Sequence, residues 1–269
     1  MKTNTLLIGE IGTGKTRSLL TLLPEFIDPH TSAVHKGAGL ETFVISLERG
    51  AEAVFGENAC RQGLHRHFIT VTPPDWRTFG KYAKLAATMS MDSLVKMVDP
   101  GKSSYTAFAE AWGQCEDFVC DVCGEHFGDA SEWGEERCLC LDGMTGISKA
   151  AMQAVVGAKP IRSLPEYGFA MSFIEGFMTT VWQATRCSTV VLAHLDRQTD
   201  PVTGASRVTL DTWGDKLAPK LIREPDEIAQ TMKRDGKFFW STVADGITLK
   251  RRRLSEGTSL EPSFRQIFQ

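Results

Sequence analysis

Apolar residues recur along this chain in two different periods. Short unbroken apolar runs occupy 5–8, 42–47, 67–71, 137–142 and 189–193. Runs of this length, bounded by polar or glycine-rich segments, predict strands buried on both faces. Between them, apolar positions return every three or four residues, the period of a helix with one buried stripe. That spacing predicts helices over 16–23 (stopped by Pro24), 76–98, 105–112, 147–156 and 169–186. The 76–98 stripe is Trp76, Phe79, Ala83, Ala86, Leu94, Val95 and Val98. In the last helix Phe169, Phe173, Phe177 and Val181 run beside Ile174, Met178 and Trp182. Aromatics at helical spacing read as core rather than as a stacking platform.

The polar stretches 28–39 and 196–207 read as loops, the second carrying Pro201 and Gly204. Residues 227–234 and 237–242 flank Asp235-Gly236, a type I′ turn pair, and predict an antiparallel hairpin. A last strand is expected over 247–250. Strands alternating with helices imply an α/β fold with a mainly parallel sheet, extended by the C-terminal hairpin. The chain reads as one domain over 1–269. Segment 113–137 is rich in charge, glycine and cysteine and poor in periodicity, so it reads as a small cysteine-bearing insertion.

Composition changes this picture in three places. No stretch approaches the run of about 20 apolar residues that spans a bilayer, and the first strand starts at once, so no leader and a cytoplasmic location are expected. The seven cysteines are then expected as free thiols or metal ligands. The net charge of −3 gives no general attraction for nucleic acid, so any such binding needs a local basic patch or an oligomeric groove.

The chemistry is concentrated in Gly9-Glu10-Ile11-Gly12-Thr13-Gly14-Lys15-Thr16, a complete G-x-x-x-x-G-K-[ST] phosphate-binding loop between a strand and a helix. Its glycines let backbone N–H groups turn around a phosphate at the positive end of the helix. Lys15 is expected on the β/γ-phosphates of ATP and the Thr16 hydroxyl on Mg²⁺. Asp142 ends an apolar strand, where strand C-termini meet the ligand crevice. It reads as a second Mg²⁺ ligand, the alternative being an N-cap for the helix that follows. Glu48, just beyond the 42–47 strand, can orient the attacking water; the alternative is a loop glutamate paired with Arg49. His194 follows the 189–193 strand and reads equally as a γ-phosphate sensor or a structural histidine. Arg197 and Arg207, in the loop after His194, are placed to hold nucleic-acid phosphates. In Lys250-Arg251-Arg252-Arg253, residues two apart share a face; a phosphate-facing role and a solvated basic edge both fit. Cys120-Asp121-Val122-Cys123-Gly124 has metal-knuckle spacing. Zn²⁺ on Cys120 and Cys123 competes with buried thiols, with Cys115, His126, Cys138 and Cys140 as candidate partners.

Taken in order, these pieces resemble the RecA-like P-loop ATPases, and among them the phage nucleotide-binding proteins of the Sak-type single-strand annealing group. The phosphate loop, Glu48, Leu141-Asp142-Gly143-Met144-Thr145-Gly146, Leu192-Ala193-His194-Leu195-Asp196-Arg197 and Leu249-Lys250-Arg251-Arg252 carry the resemblance. It implies a RecA-like core that forms homo-oligomers and an ATPase that binds or anneals single-stranded DNA. It also implies a DNA-binding loop after His194, with Lys250 and Arg252 reaching a neighbouring subunit's γ-phosphate. With no separate oligomerisation domain ahead of the loop, rings and single subunits stay open beside filaments. An ATP-dependent motor or assembly factor and a small-molecule kinase, with Arg61 and Arg66 as weak lid candidates, are the competing functions.

Overall fold

The computed structural model describes residues 1–269 other than 49, 57–59, 61, 74, 75, 100, 160, 200–205, 214, 215, 245, 246 and 248. Its strands are β1 (Asn4–Gly9), β2 (Glu25–Ile27), β3 (Val34–Lys36), β4 (Glu41–Ser46), β5 (Leu64–Phe68), β6 (Arg137–Asp142), β7 (Ser188–Thr199), β8 (Ser206–Leu210), β9 (Glu227–Arg234) and β10 (Lys237–Ser241). Its α-helices are α1 (Lys15–Ser18), α2 (Ala51–Phe55), α3 (Trp76–Ala86), α4 (Met91–Lys96), α5 (Ala107–Glu116), α6 (Met144–Val156), α7 (Leu164–Ala184), α8 (Ala218–Leu221) and α9 (Arg265–Phe268).

The main sheet runs β10-β9-β1-β7-β6-β4-β5, with β8 continuing it from β7. Every pairing from β9 through β5 is parallel; β9–β10 and β7–β8 are antiparallel. The apolar runs divide by alternation between two cores. Leu6, Ile8, Leu139, Leu141 and Val191 point to the face covered by α5, α6, α7 and α8, where Ala111, Ile147, Ile174, Phe177 and Leu221 are buried. Leu7, Val44, Cys138, Cys140, Val190 and Leu192 point to the opposite face, against Leu19, Leu20, Phe55, Phe264 and Ile267. The result is a mixed, mostly parallel α/β sheet with helices on both sides. All the parallel strands end at the same edge, which gathers the residues that follow them.

The structure departs from the sequence expectations at several elements. The α1 helix continues as a 3₁₀ turn over Leu19–Leu22. Within 28–39, β3 pairs with β2 in a short surface hairpin whose residues are mostly exposed, so no apolar period marks it. The third strand lies at Leu64–Phe68, earlier than 67–71. The 76–98 helix is broken before Ser90, whose side chain accepts the N–H of Ser93 and starts α4. The long helix α7 begins at Leu164, because Ser163 and Glu166 form a capping box and Pro165 suits its first turn. Phe169 and Phe173 on it are exposed rather than core. The 196–207 stretch is not a loop throughout: β7 runs on through Thr199 and pairs with β8, while Pro201 and Gly204 lie outside the described residues. Residues 247–250 give one bridge, Ile228 with Lys250, instead of a strand. The reason is that β9 already has β1 on one side and β10 on the other from Gln230 onward. Thr248 lies outside the described residues. No helix among those described is long and apolar enough to cross a membrane.

Candidate functional site

Four strands meet beside the glycine-rich loop. β1 stops at Gly9 and the chain re-enters helix at Lys15. Gly12 and Gly14 hold φ of 76° and 89°, which side-chain-bearing residues adopt only with strain. A Cβ on Gly9 would lie 2.2 Å from Thr231 Oγ1 and 2.8 Å from Thr13 Oγ1, so only glycine fits where β1 passes β9.

Lys15 folds back over the loop it closes. Its Nζ donates to the carbonyls of Gly9 and Glu10, both at 2.9 Å, and lies 3.1 Å from His194 Nδ1. Register places Gly9 directly opposite His194 on β7. An ammonium has no lone pair, so His194 Nδ1 must accept and Nε2 must carry the ring proton. That Nε2 lies 2.9 Å from Glu48 Oε2, just beyond β4. Beside this chain, Thr16 Oγ1 donates to Asp142 Oδ2 at 3.0 Å, joining the start of α1 to the end of β6. The structure therefore brings together Lys15, Thr16, Glu48, Asp142 and His194. Glu10 and Ile11, at the crest of the loop, are exposed. Arg49, the alternative partner of Glu48, lies outside the described residues. Asp142 makes no side-chain cap to α6, whose N-cap is Gly143.

These groups shift one another's titration. Burial, reinforced by Glu48, pushes Asp142 up to about 7, against the pull of Thr16, Lys15 and His194. Burial lowers Lys15 to about 8 despite Glu48 and Asp142. Burial alone would raise Glu48, but the hydrogen bond from His194, with the charges of Lys15 and Lys149, holds it below the usual range. A buried carboxylate held up this far is short of positive charge, which a divalent cation beside Thr16 and Asp142 would supply.

Two cavities flank the loop. One, about 850 Å³, opens beside Glu48 and His194 and takes in Lys149, Arg162, Arg197 and Trp213. The Arg162 guanidinium lies 4.8 Å over the Trp213 ring. Arg197 lies in β7 three residues after His194 and reaches Glu10 Oε1 at 3.2 Å on the surface. The other cavity, about 470 Å³, is bordered by Gly14, Arg17, Phe26, His35 and Phe238. There Phe26 stacks on His35 at 5.4 Å, and Arg17 sits 5.3 Å from the Phe238 ring. Lys149, Arg162 and Trp213 were not singled out from sequence; each is separated from the loop by more than 130 positions and belongs to no motif.

Lys250 and Arg252 are not at this loop. Lys250 Nζ donates to the carbonyls of Arg223 and Pro225, and Arg252 Nη1 to Asp226 Oδ1 at 3.1 Å. Asp226 accepts the Asn4 N–H, so both lie at the starting end of β1, opposite Gly9. Arg251 and Arg253 point elsewhere, to Glu256 and to the Ile267 carbonyl. Arg207 sits in β8 opposite Gln198. Arg61 lies outside the described residues, and Arg66 covers Phe68 rather than facing the loop.

The cysteines separate into two groups. Cys60, His65, Cys120 and Cys123 form a cluster able to hold a metal ion, with one ligand atom from each lying within 4.8 Å of the others. Among the expected partners, Cys138 and Cys140 are instead buried neighbours in β6, as the alternation of that strand dictates. Cys115 packs against the core under α5, and the exposed His126 pairs with Asp117. The signal for Cys60 and His65 was the C-x₄-H spacing itself.

No protein-family model matches this chain, and a search of the curated proteins finds no match.

Proposed function

We propose that this chain binds ATP with magnesium, hydrolyses it, and couples that cycle to single-stranded DNA as a RecA-like subunit of a homo-oligomer. The observation that carries the reading is the convergence of Lys15 and Thr16 with Glu48, Asp142 and His194, from three further strands, around one glycine-rich loop. Lys15 would exchange the carbonyls of Gly9 and Glu10 for the β/γ-phosphates. Thr16 and Asp142 would hold Mg²⁺, whose charge polarises the phosphoryl oxygens. Glu48 is held ionised and can accept a proton from a water while orienting it. His194 touches both Lys15 and Glu48, so it can register whether a γ-phosphate is present. The base and ribose would lie in the cavity bordered by Gly14, Arg17 and Phe238.

The DNA part rests on the chain's path after His194. β7 continues from the phosphate site into the β7–β8 hairpin with Arg197 and Arg207, beside a cavity that adds Lys149 and Arg162. A local cluster of this kind is what a chain of net charge −3 needs to hold a phosphate backbone. Lys250 and Arg252 would act on a neighbouring subunit's nucleotide.

The test is ATP hydrolysis by the full chain with and without a single-stranded oligonucleotide at low salt. Stimulation is expected, and it should weaken in Arg162→Ala and Arg197→Ala with a shallower salt dependence. Hydrolysis without DNA binding would leave the ATPase and remove the DNA reading in favour of an assembly factor.

A further inference from the structure

We propose that Cys60, His65, Cys120 and Cys123 form a closed structural zinc site that fastens the 113–137 insertion to the turn leading into β5. This does not depend on the nucleotide reading.

The distances are those of one shared ion. Cys60 Sγ lies 3.6 Å from Cys120 Sγ, and Cys123 Sγ lies 3.8 Å from His65 Nδ1. Zinc bonds sulfur at about 2.3 Å, so two sulfurs of one tetrahedron stand about 3.8 Å apart. All four ligand atoms fall within 4.8 Å of one another. A disulfide would bring two sulfurs to about 2.05 Å and would leave His65 and Cys123 aimed at the same point without a reason.

Two turns present the ligands in pairs. In the first, Cys60 has φ of 61°, its N–H bonds the Leu64 carbonyl at 2.7 Å, and Gly63 at φ 78° reverses the chain so that His65 comes back toward Cys60. In the second, Gly124 at φ 70° bonds its N–H to the Cys120 carbonyl at 2.9 Å and closes the Cys120–Cys123 knuckle. The Val122 N–H points at Cys120 Sγ from 3.5 Å, a donor that favours a thiolate there.

The outer shell is also built. With Nδ1 toward the cluster, His65 presents Nε2 to Glu41 Oε1 at 3.5 Å, and Glu41 is itself held by Arg137 at 2.8 Å. A carboxylate on the far nitrogen fixes the tautomer and makes the imidazole a better ligand. The ring is clamped between Phe43 at 5.1 Å and Phe127 at 4.2 Å. Three sulfurs and one imidazole suit zinc. The protein fills all four positions and leaves none for water, so the site is structural and does no chemistry.

Its purpose follows from its place. β5 is the last strand of the sheet, and an open edge invites pairing with another chain. The insertion covers it: the Asp121 N–H bonds the Arg66 carbonyl at 2.9 Å, and Asp121 Oδ2 takes the Phe68 N–H at 2.6 Å. Apart from α5, the insertion has little regular structure of its own, and zinc supplies the rigidity.

The experiment is multi-element mass spectrometry on the full chain purified without added metal. The wild type should carry about one zinc per chain. Cys60→Ser and Cys123→Ser should carry less than a tenth of that, while Cys138→Ser should keep it. Exchange of the wild type with Co²⁺ should give the visible absorption of a tetrahedral, thiolate-bound ion, which decides the matter if Cys60→Ser proves insoluble. A protein without zinc and without that spectrum, one with iron instead, or zinc retained in Cys60→Ser and lost in Cys138→Ser would overturn the site.

Discussion

At the phosphate loop, charged side chains from separate strand ends offset one another before any ligand arrives: Lys15 against Glu48 and Asp142, with His194 between. At the insertion, three sulfurs and an imidazole face one point, with the Val122 N–H beside one sulfur and the Glu41 carboxylate behind the imidazole. On the proposed reading the first arrangement is a working site, able to trade each internal bond for one to a ligand. The second gains nothing until its centre is filled, and then has nothing left to exchange. A site that must cycle keeps its polar groups provisionally satisfied; a site that must only hold leaves them for a permanent partner.

The contrast breaks most sharply if the two sites are removed in turn. Lys15→Ala should abolish ATP hydrolysis, measured as phosphate release, while zinc content and circular dichroism stay those of the wild type. If Lys15→Ala turns over normally, the loop is not a nucleotide site. Cys123→Ser should do the reverse in kind, losing the metal and lowering the melting temperature of the whole chain.

A smaller effect separates binding from chemistry within the phosphate site. Glu48→Gln should slow hydrolysis by roughly 10²–10⁴-fold, the usual range for lost general-base catalysis, with ATP affinity nearly unchanged. Equal losses in affinity and rate would mean that Glu48 only props His194.

The smallest effect tests whether the phosphate site stores a cost. Asp142 is held up near 7, above the ordinary carboxylate value. The native state therefore binds this proton more tightly than the unfolded chain. The stability it adds is complete below about pH 4 and is lost as pH rises to and through 7. Without nucleotide or magnesium, Asp142→Asn should melt several degrees above the wild type at pH 8, and the gap should narrow as pH falls below 7 and close near pH 4. A gap as wide at pH 4 as at pH 8 would remove the charge explanation.

How legible each region was follows from the same contrast. The phosphate loop is contiguous, and its eight residues announced strand, turn and helix at once. Glu48, Asp142 and His194 could be found because buried parallel strands are unbroken apolar runs whose ends are easy to see. Cys60 lies in a turn before β5 and His65 near the start of that short strand, with no apolar pattern to mark them, and the folded chain sets them against Cys120 and Cys123. Lys149, Arg162 and Trp213 were invisible for a related reason: cavity walls are assembled from helix faces and loops that share no spacing. The β2–β3 hairpin was missed because strands with mostly exposed residues carry no hydrophobic period. Residues 247–250 read as a strand because the sequence pattern alone cannot tell that most of the neighbouring edge is taken.

The position of β1 has a consequence in time. It lies between β7 and β9, pairing Asn4–Gly9 with Thr189–His194 and with Glu227–Thr231. A ribosome makes β1 long before either of its two neighbours. At about 5–20 residues per second, roughly ten to forty-five seconds separate the strand from its partners. During that interval the glycine-rich loop exists as sequence but has neither His194 nor Thr231 to shape it. Nucleotide cannot template the early fold, and any pairing made by β1 in those seconds is a wrong one. The glycine-rich loop is therefore synthesised long before it can take its folded shape.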